Sequence, residues 1–85
     1  MSEYTTYISE FLGTCFLVFV IVSVKHPIAI GISLTLALYL TSGHLNPAVS
    51  LVSVISNKLE IQELLPYIIA QGAGALLAYE LSLYN

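Results

Sequence analysis

The chain has 85 residues, 58% of them apolar and 8% charged, against about 45–50% and about 25% in an ordinary soluble domain. Two lysines, five glutamates and no arginine leave a formal net charge of −3, and the mean hydropathy is +0.92. Two cations exclude an electrostatic nucleic-acid binder, and one cysteine excludes a disulfide framework or a cysteine-based zinc site. A soluble fold of this size buries only about 60% of its surface, so this much apolar surface points to a lipid bilayer as the solvent.

Charges fall at Glu3, Glu10, Lys25, Lys58, Glu60, Glu63 and Glu80. They leave uncharged stretches at 11–24, 26–57 and 64–79. A membrane helix needs about 20 mostly apolar residues. Residues 7–24 meet that with Glu10 inside the span, and residues 62–83 meet it with Glu80 near the far interface. The acidic start has neither a basic n-region nor a small-x-small cleavage site, so a removed signal peptide is not expected.

The middle stretch is too long for one span and too short for two plus a loop. Its punctuation resolves the arithmetic. Pro27 opens a helix after Lys25-His26, and the apolar segment predicts a second span over 27–41. Ser42-Gly43-His44 breaks it. Asn46-Pro47 then supplies an N-cap followed by a first-turn proline. The segment 47–56 therefore reads as a short helix of ~15 Å, about half of a ~30 Å hydrocarbon core. Irregular backbone at that depth is tolerated only where protein buries it or a water-filled cavity meets it. The expected fold is an all-α membrane protein: three transmembrane helices plus one re-entrant half-helix, in a single unit over 1–85. Such a chain is an integral, multi-pass membrane protein with a cavity or pore.

The run Ser42-Gly43-His44-Leu45-Asn46-Pro47-Ala48-Val49 resembles the first signature loop of the aquaporin, or major intrinsic protein, family. Glu10-Phe11-Leu12-Gly13-Thr14 resembles the family's first-helix start. Tyr67-Ile68-Ile69-Ala70-Gln71 with Gly74 resembles its third helix. The resemblance covers essentially the whole chain but only the first half of a usual member, which has two inverted halves. There are departures. The glycine that usually precedes the histidine is absent, and 31–46 is about one helical turn short. The family's selectivity-filter arginine follows the second Asn-Pro-Ala, and the corresponding residue here is Val49. Ile30 is the nearest match to the filter aromatic of helix two.

The resemblance implies roles for particular residues. Gly43, His44, Asn46, Pro47, Ala48 and Val49 would line a pore, with the Asn46 amide donating to a passing water or polyol beside the positive end of the half-helix dipole. That combination disfavours cations. Glu10 would accept hydrogen bonds around His44 and brace the loop, and Gln71 would tie the third span to it. A buried carboxylate or amide inside a span is costly unless paired. Gly13 and the every-fourth-residue series Ala70, Gly74 and Ala78 permit close helix approach. His44 has no second ligand for a metal, and no cofactor, metal site or enzyme motif is expected.

Three spans place the termini on opposite sides, and one copy supplies half a pore wall. The single lysine near each side gives no orientation bias, so the chain is expected to insert both ways. The expected function is a channel for water or small neutral solutes such as glycerol or urea. A second, inverted copy of the chain would complete it as an antiparallel dimer, or within a higher oligomer. The alternatives are an accessory half that pairs with another aquaporin-like chain, and a non-functional truncation.

Overall fold

A computed structural model describes residues 3–85, and the first two residues of the expected 1–85 unit lie outside the described residues. Helix α1 (Glu3–Phe19) begins four residues before the expected span and runs straight into a π-helical segment, Val20–Val24. Lys25 closes that segment in the left-handed region (φ 60), donating its N–H to the Val20 carbonyl at 3.1 Å. Helix α2 (Pro27–Leu40) starts where the proline predicts. His26, just before the proline, is its N-cap: Nδ1 accepts the Ile28 N–H at 3.2 Å. Thr41, counted in the second span, is extended and ends the helix.

Helix α3 (Pro47–Ile55) is nine residues, one fewer than the expected 47–56, because Ser56 is the C-cap and donates back to Val52. A left-handed Asn57 (φ 63) and a 3₁₀ turn at Ile61–Glu63 lead to α4 (Leu64–Ser82). Among the described residues there is no strand.

Two helical segments, Glu3–Val24 and Ile61–Ser82, are long and apolar enough to cross a bilayer, 22 residues each or ~33 Å at 1.5 Å per residue. They pack against each other along most of their length, with α2 against α1 and α3 against α4. The burial pattern is the reverse of a water-soluble core. Glu10, Thr14, Ser33, Ser50 and Gln71 are buried, while Ile8, Leu12, Ile32, Leu65, Ile69 and Leu76 are exposed. Apolar side chains facing outward gain nothing in water and are at home in lipid. The fold is that of an all-α membrane protein.

The α1–α4 seam depends on small residues. Ala70, Gly74 and Ala78 are buried on it, and a Cβ at Gly74 would strike the Phe11 carbonyl oxygen and approach Cys15 N to 3.1 Å. Gly13 leaves room on the opposite side of α1. A Cβ there would meet Thr41 Cγ2 at 2.6 Å and Leu45 Cδ2 at 3.0 Å.

Candidate functional site

The loop between α2 and α3 is wound around one side chain. Glu10 lies about two turns into α1 and is fully buried. Its Oε2 accepts from Ser42 Oγ at 2.6 Å and His44 N at 3.2 Å. Its Oε1 accepts from Leu45 N at 2.7 Å and Gln71 Nε2 at 3.0 Å. All four partners are donors, the complement of an acceptor-only carboxylate. Their number matters because a carboxylate buried without partners costs several kcal/mol. The loop needs such an anchor. Gly43 (φ 88) and Leu45 (φ 59) both sit in the left-handed region, and for a leucine that conformation costs about 1–2 kcal/mol.

A second cluster centres on Ser50, fully buried one turn into α3. Its Oγ lies 2.8 Å from His44 Nδ1 and accepts from Gln71 Nε2 at 3.0 Å. The His44 ring stacks on Tyr67, with centroids 4.4 Å apart and planes at 24°. Tyr67 in turn meets Tyr7 edge-on at 5.5 Å, and the Tyr7 hydroxyl donates to Glu63 Oε1 at 3.4 Å. Gln71 thus bridges both clusters through its amide nitrogen.

The Asn46 side chain bonds neither cluster. Its Oδ1 accepts the Ala48 N–H at 2.7 Å and caps α3, which leaves Nδ2 as a donor without a partner among the described residues. Asn46, Pro47, Ala48 and Val49 are all exposed. Asn46 and Pro47 edge a cleft of about 320 Å³, otherwise walled mainly by Thr14, Leu17 and Val18 of α1, Ile21 of the π-helical segment, and Gln71 and Ala75 of α4. The lining is mostly apolar, with the Asn46 and Gln71 amides and the Thr14 hydroxyl as its polar groups.

The structure therefore sorts the sequence-derived residues into three groups. Glu10, Gln71 and the His44 ring meet in the buried clusters. Asn46, Pro47, Ala48 and Val49 share the exposed start of α3. Gly13, Ala70, Gly74 and Ala78 lie on packing seams. Sequence reasoning assigned no role to Ser42, Ser50 or Tyr67. Ser42 and Tyr67 stand inside the quoted motifs. Ser50 falls four residues after the cap, one turn along, and that spacing is the signal that could have found it. Among the described residues, no cluster of three or more histidine, cysteine or acidic side chains is placed to hold a metal.

The Asn46 side chain holds a capping oxygen and an unpaired amide nitrogen, and substitution separates the two. Asn46→Ala is expected to lower stability by about 1 kcal/mol through loss of the cap. Asn46→Asp keeps an acceptor at the helix N-terminus and should hold stability near the parent's while removing the amide donor. Thermal unfolding in detergent reads the difference. Equal melting of all three proteins would show that the cap contributes nothing.

The fold and this loop define a class of membrane protein. The family model for major intrinsic proteins matches residues 1–84, and the chain belongs to that family. It is 35% identical over 85 aligned positions to "Glycerol uptake facilitator protein-like 6" of Lactiplantibacillus plantarum, with 85% of this chain and 39% of the relative covered. It is 49% identical over 59 positions to "Propanediol uptake facilitator PduF" of Salmonella typhimurium, covering 60% of this chain and 22% of the relative. The chain thus spans about two fifths or less of the length of these relatives. No solved structure matches it. As a member of this family it is an integral membrane protein.

Proposed function

We propose that this chain is one half of a channel wall for small neutral solutes, completed by a second copy in the inverted orientation. In this reading α1 with its π-helical extension, α2 and α4 cross the membrane, and α3 is re-entrant. The carrying observation is the exposed Asn46–Pro47 start of α3, held by a loop whose Ser42 hydroxyl and His44 and Leu45 N–H groups are tied to Glu10. Several features support it. The unpaired Asn46 Nδ2 and the N-terminal dipole of α3 give a donor and a positive potential at one point, which suits a solute oxygen and opposes cations. The carbonyls of Gly43, His44 and Leu45 have no donor among the described residues and would serve as acceptors beside it. Polar backbone of this kind is untenable against lipid, at several kcal/mol per unsatisfied group, so a second wall is needed.

Glu10 and Gln71 act in this reading as braces, and Asn46, Pro47, Ala48 and Val49 as pore lining. With Val49 in both copies the constriction lacks a fixed positive charge and a forked donor, which favours a wider pore passing glycerol as well as water. The relatives named for glycerol and propanediol uptake support the same solute class.

The test is water and glycerol flux in proteoliposomes holding only this chain, beside a head-to-tail fusion of two copies. Three crossings put the termini on opposite sides, so a short linker inverts the second copy without an extra span. Both preparations are expected to pass glycerol and to reject protons. A fusion that inserts and passes neither solute removes the self-completing pore, and the half-channel that needs a different aquaporin-like partner takes its place.

A further inference from the structure

Ser9, Ser33, Thr35, Ser53 and Ser82 each return their hydroxyl hydrogen to a helix carbonyl three or four residues earlier. Thr14 does not. Its Oγ1 is buried with no hydrogen-bond partner, and so is Gln71 Oε1. Ser23 Oγ, in the π-helical segment, is the third such atom among the described residues. A buried polar oxygen without a partner is costly, and native folds leave few of them.

Chemistry fixes the orientation of the Gln71 amide. Its NH₂ gives one hydrogen to Glu10 Oε1 and the other to Ser50 Oγ, each at 3.0 Å. A flipped amide would set its oxygen against an acceptor-only carboxylate, so the nitrogen stays on that side. Neither Glu10 nor Ser50 lines the cleft beside Asn46. The oxygen is what Gln71 has left to offer that cleft.

Thr14 and Gln71 are 3% and 2% exposed, come from the packed helices α1 and α4, and line the same cleft as Asn46. Three capacities meet there: an acceptor on Gln71, a hydroxyl on Thr14 that can give or take, and the unpaired Nδ2 donor of Asn46. A ligand hydroxyl, which both donates and accepts, is the complement of that set. No charged side chain lines the cleft, so an ion would enter it uncompensated. Leu17, Val18, Ile21 and Ala75 supply carbon around the polar groups. One water takes about 30 Å³ in the liquid, so about 320 Å³ has room for a three-carbon polyol.

We propose that Thr14 Oγ1, Gln71 Oε1 and Asn46 Nδ2 form a subsite in this cleft for a hydroxyl group, that of a small neutral polyol or of water. Gln71 then has a task at each end of its amide. The nitrogen braces the loop and the oxygen receives the ligand's hydrogen. Use of the subsite by a transported solute rests on the channel reading above. Binding at the subsite does not.

The direct test is solid-state NMR of the full chain in bilayers, ¹³C-labelled at glutamine, with Gln62→Glu identifying the second glutamine signal. Magnetisation is sent to the Gln71 amide carbon from ¹³C-glycerol in one arm and from water protons in the other. Transfer from glycerol is expected, saturating as its concentration rises. Thr14→Val keeps the shape and drops the hydroxyl, and should raise the half-saturating concentration by up to about tenfold, the worth of one hydrogen bond. Thr14→Ser should restore it. Transfer from water alone, lost in Thr14→Val and kept in Thr14→Ser, assigns the subsite to water. In proteoliposomes, glycerol flux relative to water flux should fall several-fold in Thr14→Val. An amide carbon reached from neither source overturns the proposal, whether or not the variants assemble. So does a Thr14→Val protein with the parent's transfer. A chain that passes no glycerol yet shows the contact removes the channel reading and leaves the subsite standing.

Discussion

Replacing Glu10 by alanine is expected to cost several kcal/mol and to release the 42–46 loop. The substitution leaves Ser42 Oγ, His44 N, Leu45 N and one hydrogen of Gln71 Nε2 without their acceptor. The Leu45 and Gln71 donors are buried, and each buried donor left unpaired costs about 1–3 kcal/mol, against a total stability of about 5–15 kcal/mol for an ordinary domain. Glu10→Gln is expected to be milder, for a reason visible in the donor types. Its oxygen can keep Leu45 N and Gln71 Nε2. Its NH₂ then faces Ser42, whose hydroxyl can turn to accept, and His44 N, which cannot. One N–H is lost, so the cost is about 1–3 kcal/mol. Unfolding in detergent, with limited proteolysis at the loop, should rank parent, glutamine and alanine in that order. Alanine and parent of equal stability would mean that the loop holds its shape without the carboxylate.

The second large effect is expected at Gly74. A Cβ there meets the Phe11 carbonyl oxygen, and backbone cannot rotate out of the way. Gly74→Ala must push α1 and α4 apart, which strains the seam on which Ala70 and Ala78 are buried and stretches the Glu10–Gln71 bond. Overpacking of this kind typically costs about 1–3 kcal/mol, and Gly74→Leu should prevent assembly. Gly72, two residues away on the same helix, is the internal control. A Cβ there meets nothing within 4 Å, so Gly72→Ala removes only a helix-weakening glycine and should be neutral or up to about 1 kcal/mol stabilising. If the two alanine variants unfold together, the close approach at Gly74 is not what holds the seam.

The solvent, the helices and most of their starts were legible in the sequence because those signals are local. Pro27 and Asn46-Pro47 mark helix starts through a fixed φ and a side-chain cap, and α2 and α3 begin there. Scarcity of charge alone demanded lipid, and the outward-facing leucines and isoleucines agree with it. The Ser-Gly-His-x-Asn-Pro-Ala-Val run identified the family because so specific a pattern rarely recurs by chance.

What the tertiary structure decided is where polar atoms find each other across sequence gaps of tens of residues. Glu10 could be read as a buried acid, but its four donors come from the 42–45 loop and from α4, and only packing brings those to one carboxylate. Ser50 looks like any serine on a short helix. Its place between His44 and Gln71 depends on α3 lying against α4. Val20–Val24 is an apolar run interrupted only by Ser23, and its wider hydrogen-bond register is not written in residue type. Composition and capping act over a few residues and can be read along the chain. Hydrogen-bond satisfaction inside a membrane is a global requirement, met by whichever segments the fold brings within about 3 Å of one another.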